Sequence, residues 1–294
     1  MVDLTAPATE EELTVLRRLS VEAVYDDDGS VRHPAIVLEP TPARIAALRR
    51  AIVTVAAWKG GVGKTELAKE LAWLLGGIEV DFDWDAGGAS KKWGYNHESR
   101  LNAPLLDAFE NNRIPKPLQG GQWRADLVPS HPDLEKNQPS PDQTSAAVEK
   151  WSAAWGRAMV IDTHPGGTDV GYGAMSASHV IVVPTPLGIN ELEALESMVK
   201  ELRGYPLLIV PNQNLYKVPG DKMFERLGRI ASTYSVPLVD TPITFCRWLP
   251  ERTRRMAVAA SEPIPARFEE YADQVKAVAR TVVEFVANQM GEEG

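Results

Sequence analysis

Two lysines and a threonine, Lys59, Lys64 and Thr65, stand around three glycines in the run Trp58-Lys59-Gly60-Gly61-Val62-Gly63-Lys64-Thr65. An apolar stretch, Ala51–Ala57, leads into the run, and a helix-forming stretch follows it. Strand, glycine loop and helix start in that order make an anion cradle. Glycines let successive backbone N–H groups curl around phosphate oxygens where a side chain would block the approach. The helix N-terminus adds partial positive charge at the same spot. Lys64 is spaced to reach the β- and γ-phosphates of a nucleotide, and the Thr65 hydroxyl to ligate Mg²⁺. The ordinary P-loop pattern asks for a glycine where this chain has Trp58, so the run is a variant with a second lysine at Lys59.

Two apolar strands end in carboxylates that could serve such a site. Val80-Asp81-Phe82-Asp83-Trp84-Asp85 follows the first helix, and Met159-Val160-Ile161-Asp162-Thr163-His164-Pro165-Gly166-Gly167 comes later in the chain. An aspartate closing a buried strand beside a phosphate loop can hold Mg²⁺ directly or through water, and Asp162 is placed to do so. The plainer alternatives are an exposed acidic turn for the first segment and a helix cap for the second. His164 is given no role.

The run Lys-Gly-Gly-Val-Gly-Lys-Thr resembles the deviant Walker A ATPases, the group of ParA, MinD, nitrogenase iron protein and the arsenite-pump ATPases. Within that group the chain is most similar to ParA-type partition ATPases, in register over about residues 51–262. The resemblance implies ATP and Mg²⁺ as cofactors and slow, partner-stimulated hydrolysis. It makes Lys59 the signature lysine that crosses a homodimer interface to the partner's phosphates. Asp83 falls at the position that orients the attacking water, so Lys59, Lys64 and Asp83 are the catalytic candidates. Gly60, Gly61, Val62, Gly63, Lys64, Thr65 and Glu66 form the nucleotide cradle. Asn212, in Leu208-Ile209-Val210-Pro211-Asn212-Gln213, falls where the group reads the adenine edge. Thr65, Asp81 and Asp162 are the implied metal residues. Two departures stand out. Glu66 replaces a second threonine, so it either turns away from the α-phosphate or weakens the grip on nucleotide. Trp84-Asp85 replaces a proline–glutamine pair in the first switch segment.

By the same resemblance, the arginine-rich run Arg247-Trp248-Leu249-Pro250-Glu251-Arg252-Thr253-Arg254-Arg255 would hold DNA without sequence preference. Arg247, Arg252, Arg254 and Arg255 are the implied contacts, suited to phosphate oxygens by their forked guanidinium groups. A second run of Lys217, Lys222, Arg226 and Arg229 would widen the patch. The other reading is a solvated face with local ion pairs. The implied cycle is assembly of a homodimer with ATP, non-specific DNA binding, and release when a ParB-type centromere-binding protein stimulates hydrolysis. Plasmid, phage or chromosomal DNA segregation would follow. Rival readings are a MinD-like positioning ATPase acting on membrane or protein cargo, an iron–sulfur relative, and a nucleotide-switched regulator. A cluster needs cysteine ligands, and Cys246 is the one cysteine.

The elements that must position these residues follow from periodicity. Apolar runs at Ala51–Ala57, Ile78–Phe82, Ala158–Ile161, Val180–Val183 and Leu207–Val210 predict buried strands, with a short one at Asp126–Pro129. Helices are predicted over Lys64–Leu75, Ser145–Trp155, Asn190–Arg203, Asp221–Tyr234 and about Ala266–Met290. Alternating strands and helices predict an α/β fold, a mostly parallel sheet with helices on both faces. Residues 1–50 read as a short N-terminal extension ahead of an ATPase domain over 51–294. It would hold a helix at Thr9–Ser20, strands at Val21–Tyr25 and Ala35–Leu38, and a helix opened by Thr41-Pro42. That extension is either packed on the main domain or an arm for dimerisation or DNA.

The 294 residues carry a formal net charge of −9, which argues against a DNA coat protein while leaving room for a local basic patch. One cysteine cannot close an intrachain disulfide, and no run approaches the length and apolarity of a membrane span. The opening residues have no basic end followed by an apolar run, so they are not expected to act as a signal peptide. The expectation is a cytoplasmic protein, nucleoid-associated when ATP-bound, with no membrane partner.

Overall fold

The computed structural model describes residues 6–292, apart from 27, 29, 86–87, 97–102, 214–221 and 253–254. At its centre six parallel strands form one sheet: β3 (Ile52–Val55), β4 (Ile78–Phe82), β5 (Asp126–Val128), β6 (Met159–Thr163), β7 (Val180–Thr185) and β8 (Leu207–Pro211). Their spatial order is β5-β4-β6-β3-β7-β8. All six are buried along their whole length, as strands covered on both faces must be.

Side chains alternate between the two faces of each strand. Val53 and Val55 of β3, Val160 of β6, Val182 of β7 and Val210 of β8 join one core layer. That layer is covered by α1 (Glu10–Leu19), α2 (Pro42–Arg50), α3 (Lys64–Leu74) and α10 (Ala266–Glu292), through Leu16, Leu48, Leu71 and Val278 among others. Ile52, Ile161, Ile181 and Ile209 point the other way. They meet α5 (Pro104–Glu110), α6 (Pro141–Trp155), α7 (Asp169–Ser176), α8 (Ile189–Glu201) and α9 (Lys222–Tyr234). The valine and aromatic stripe of α10, including Phe268, Tyr271, Val275 and Val282, is therefore a core face. Among the described residues no helix is long and apolar enough to cross a membrane.

Apart from the strand expected at Ala35–Leu38, the strands and helices expected from the sequence form, with shifted ends. The α6 helix begins at Pro141, four residues before the expected Ser145, because Ser140 and Gln143 make a capping box that starts it early. Three short helices were not anticipated: α4 (Ala89–Trp93), α5 and α7. With 5, 7 and 8 residues they are too brief to display a helical period.

In the N-terminal segment, Thr9 caps α1 reciprocally with Glu12. Buried Arg49 of α2 then ties the segment down, pairing with Glu12 at 2.6 Å and donating to the carbonyls of Ala6 and Pro7. A two-stranded hairpin, β1 (Val24–Tyr25) and β2 (Val31–His33), lies between the helices. Its second strand comes earlier than the expected Ala35–Leu38. The Asp26 N–H bond to the Ser30 carbonyl closes a tight turn, and Ile36 is left in an isolated bridge with Val21.

Candidate nucleotide site

Strand β3 lies between β6 and β7, and its C-terminal end opens into the glycine loop. In open α/β sheets this is where ligands sit, outside the carboxyl ends of the strands. Gly61 and Gly63 take φ of 77° and 91°, in the left-handed region that favours glycine. Space is also limiting at Gly63, where an added Cβ would lie 2.4 Å from Asn212 Nδ2. Gly63 then caps α3, whose first N–H groups face the loop.

A cavity of ≈510 Å³ opens before the loop, lined by Gly60, Gly61, Gly63, Lys64, Thr65 and Glu66. Asp83 and Lys92 line it as well, and Ile243, Phe245, Leu249 and Pro250 form an apolar wall. Lys64 is 5% exposed. Burial pulls its ammonium below the usual lysine range, against the opposing charges of Asp162 and Asp83.

Asp162 closes β6 next to the loop and is fully buried. Neither of its carboxylate oxygens has a hydrogen-bond partner. Burial, with like charge from Asp83, pushes its carboxyl up to about 7, although Lys64 works in the opposite direction. The Thr65 hydroxyl also favours the charged form of Asp162, without meeting the geometry of a full hydrogen bond. An unpartnered buried carboxylate is costly unless a cation satisfies it. Asp162 and Thr65 are both hard oxygen donors, and the pair fits Mg²⁺.

Several residues predicted for the site make hydrogen bonds or ion pairs of their own. Asp81 lies opposite Asp162 in register on β4. Its Oδ1 accepts the Asp83 N–H at 2.9 Å, and its Oδ2 accepts the Ser90 N–H at 2.6 Å and the Ser90 hydroxyl at 2.5 Å. These bonds shape the turn after β4 and the start of α4. The Asn212 side chain is bonded as well. Its amide donates to the Val62 carbonyl at 2.7 Å, while Gln213 donates to Gly61 at 3.0 Å, so both brace the phosphate loop from the end of β8. Glu66 turns from the cradle's centre toward Lys69 and Lys92.

Asp83 follows β4 directly. It is 8% exposed, lines the cavity and accepts the Asp85 N–H at 3.1 Å. Burial raises its carboxyl above the usual range. Trp84, at the site of the missing proline, stacks face to face on His164 with ring centroids 4.2 Å apart. The His164 Nε2 lies 3.3 Å from Asp85 Oδ2. Reading the sequence assigned His164 nothing, yet it joins the segments after β4 and β6.

Lys59 sits on the outer face of the loop, 38% exposed at its side chain, with Nζ 2.9 Å from Glu191 Oε1 at the start of α8. Of the basic residues downstream, Arg247 and Arg255 are exposed and Arg254 lies outside the described residues. Arg255 packs across Gly94, beside the turn after β4. The Arg252 guanidinium donates to the Met256 carbonyl at 2.7 Å and to that of Ala257, within its own loop. That loop is anchored to α3 through buried Glu70, which accepts the N–H groups of Val258 and Ala259 at 2.6 and 3.1 Å. In the second run, Lys217 lies outside the described residues, Arg226 pairs with Glu196 at 3.7 Å, and Lys222 and Arg229 are exposed.

A parallel sheet with this order, a glycine loop leaving its central strand and a buried aspartate on the neighbouring strand define an α/β fold of the P-loop nucleotide-binding kind. McdA from Cyanothece in its apo form shares it, with TM-score 0.64 and 16% identity over 78% of this chain and 99% of that one. MinD, a cell division protein of Aquifex aeolicus, matches with TM-score 0.61 and 15% identity over 80% of this chain and 97% of that one. A plasmid partition protein of Borrelia burgdorferi matches with TM-score 0.56 and 17% identity, over 79% and 99%. The chain thus shares its fold with the ParA/MinD group of deviant Walker A proteins. No protein-family model matches the sequence, and no curated protein matches it.

Proposed function

We propose that the protein is a ParA-type ATPase that dimerises on binding ATP, holds DNA without sequence preference and drives DNA segregation with a ParB-type partner. One observation carries the reading. Lys59 and Lys64 flank a single glycine cradle, and buried Asp162 faces it with both oxygens unpaired. Lys64 and the backbone N–H groups bind the phosphates, and Asp162 with Thr65 holds Mg²⁺. When bound, Mg²⁺ neutralises charge on the β- and γ-phosphates. Asp83 orients the attacking water at the rim of the cradle. Lys59 leaves Glu191 and reaches the nucleotide of a second copy, which links dimerisation to ATP. The exposed Arg247 and Arg255, with Arg254, then lie on DNA phosphates. The protein works in the cytoplasm, on the nucleoid while ATP is bound.

The test is retention of random-sequence duplex DNA by the pure protein with Mg–ATP, with ADP and without nucleotide. Binding only with ATP, weakened by salt through counterion release, and lost in Lys59→Ala and in Arg247→Glu/Arg255→Glu, supports the proposal. ATP-driven dimers that retain no DNA in any condition would refute the DNA role and leave membrane or protein cargo as the object positioned.

A further inference from the structure

Glu66 creates an electrostatic problem. It is the third residue of the helix that receives the phosphates, where a carboxylate repels the ligand and a hydroxyl would bind it. Its side chain is nonetheless only 13% exposed and pairs with two lysines. Oε1 pairs with Lys69, one turn along the same helix, and Oε2 lies 3.3 Å from Nζ of Lys92. Two ammonium groups face this one carboxylate, and Lys69 also answers the charges of Glu70 and Glu79. Burial by itself would raise the Glu66 carboxyl, but Lys69 and Lys92 together hold it below the usual range.

The two lysines differ in access. The Lys69 side chain is 9% exposed, whereas that of Lys92 is 44% exposed and lines the nucleotide cavity with Lys64 and Thr65. Short as α4 is, both ends of it are pinned. Asp81 grips Ser90, the Trp93 indole donates to the Ala125 carbonyl at 2.8 Å, and the Arg124 guanidinium covers the Trp93 ring at 4.1 Å. Lys92 therefore projects from a fixed backbone.

From this arrangement, which rests on the nucleotide reading above, we infer that Lys92 is a phosphate-binding residue of the nucleotide site. Glu66 holds it there in place of the hydroxyl expected at that helix position. The ligand is a nucleoside di- or triphosphate. Pairing with Lys92 neutralises the repulsive carboxylate and sets an ammonium at the cavity for the polyphosphate. It also makes grip on nucleotide depend on α4, the element that follows the Asp83 turn.

The experiment is equilibrium binding of fluorescently labelled Mg–ADP to the full chain and to Lys92→Ala, Lys92→Arg, Glu66→Gln and the Glu66→Gln/Lys92→Ala double variant. Lys64→Ala serves as the control, and circular dichroism checks that each variant folds. Glu66→Gln is chosen over threonine because an amide can still accept from the buried Lys69. Lys92→Ala is expected to weaken binding about tenfold or more, equivalent to about 1.4 kcal/mol. Lys92→Arg should stay within about threefold, since the charge is kept. In the Glu66→Gln background the loss on removing Lys92 should be at least about threefold smaller, because coupled residues are not additive. Unchanged affinity in Lys92→Ala, or equal losses in both backgrounds, with Lys64→Ala defective as expected, overturns this inference alone. A parent protein that binds no ADP overturns the nucleotide reading and this inference with it.

Discussion

Asp81 and Asp162 are neighbours in register on adjacent strands, both fully buried and both pushed toward the protonated form, chiefly by burial. Their hydrogen bonds differ, and Lys64 acts on Asp162. Asp81 spends its oxygens on Asp83 and Ser90, and Asp162 has no partner. Asp162→Ala should therefore weaken Mg²⁺-dependent nucleotide binding by about tenfold or more, roughly 1.4 kcal/mol. Asp81→Ala should instead destabilise the fold by ~1–3 kcal/mol, since it leaves the Ser90 and Asp83 N–H groups unpaired. Titrating Mg²⁺ at fixed nucleotide, alongside urea unfolding, separates the two; the reverse pattern would exchange their roles. Both strand-end carboxylates were legible in the sequence. Which one is free was not, because the partner that occupies Asp81 lies nine residues away in a helix too short to predict.

At the scale of elements, β4 shows how a buried strand carries charge. Ile78, Val80 and Phe82 face an apolar layer, while Glu79, Asp81 and Asp83 alternate with them toward the α3 side. Burial first, then the charges of Asp162 and Asp81, lifts the Glu79 carboxyl well above its usual range, and Glu79 Oε1 has no hydrogen-bond partner. A carboxyl raised by folding favours its neutral form. Its contribution is intact below the unfolded value of about 4.3 and is lost as pH rises above it. Glu79→Gln should thus stabilise the protein at pH 8 by ~1–3 kcal/mol and flatten the fall in stability from acid to alkaline pH. Urea melts of parent and variant at the two ends of that range decide it; a steeper fall in the variant would contradict the assignment. The strand was visible as an apolar run, but the face on which its acidic residues lie depends on α3 crossing over them.

Across the whole molecule, the N-terminal segment belongs to the same hydrophobic core as the P-loop helix. Val15, Leu16 and Leu19 of α1 and Ile45 and Leu48 of α2 join Leu67, Leu71 and Leu74 of α3 and the inner face of α10. Leu19 is fully buried, so Leu19→Ala should lower global stability by ~2–5 kcal/mol through lost burial and the cavity left behind. Denaturant unfolding followed by fluorescence should still give one transition. A separate early transition, or a change below about 1 kcal/mol, would mark the segment as an appendage instead.

Local chemistry explains what the sequence determined by itself. Glycines before a lysine and a threonine need only their own backbone freedom to make a cradle. Five runs of aliphatic residues can be little else than buried parallel strands once helices separate them. Glycine loop, strand-end aspartates and sheet class were therefore all readable in one dimension. Tertiary structure alone decided the partners. Asp81 is claimed by Ser90, Asn212 by Val62, Arg252 by its own loop and Lys59 by Glu191, and Lys92 reaches Glu66 from 26 residues away. Hydrogen bonds and ion pairs act over about 3 Å, whatever the distance along the chain. Only the folded arrangement settles which donor comes within that reach.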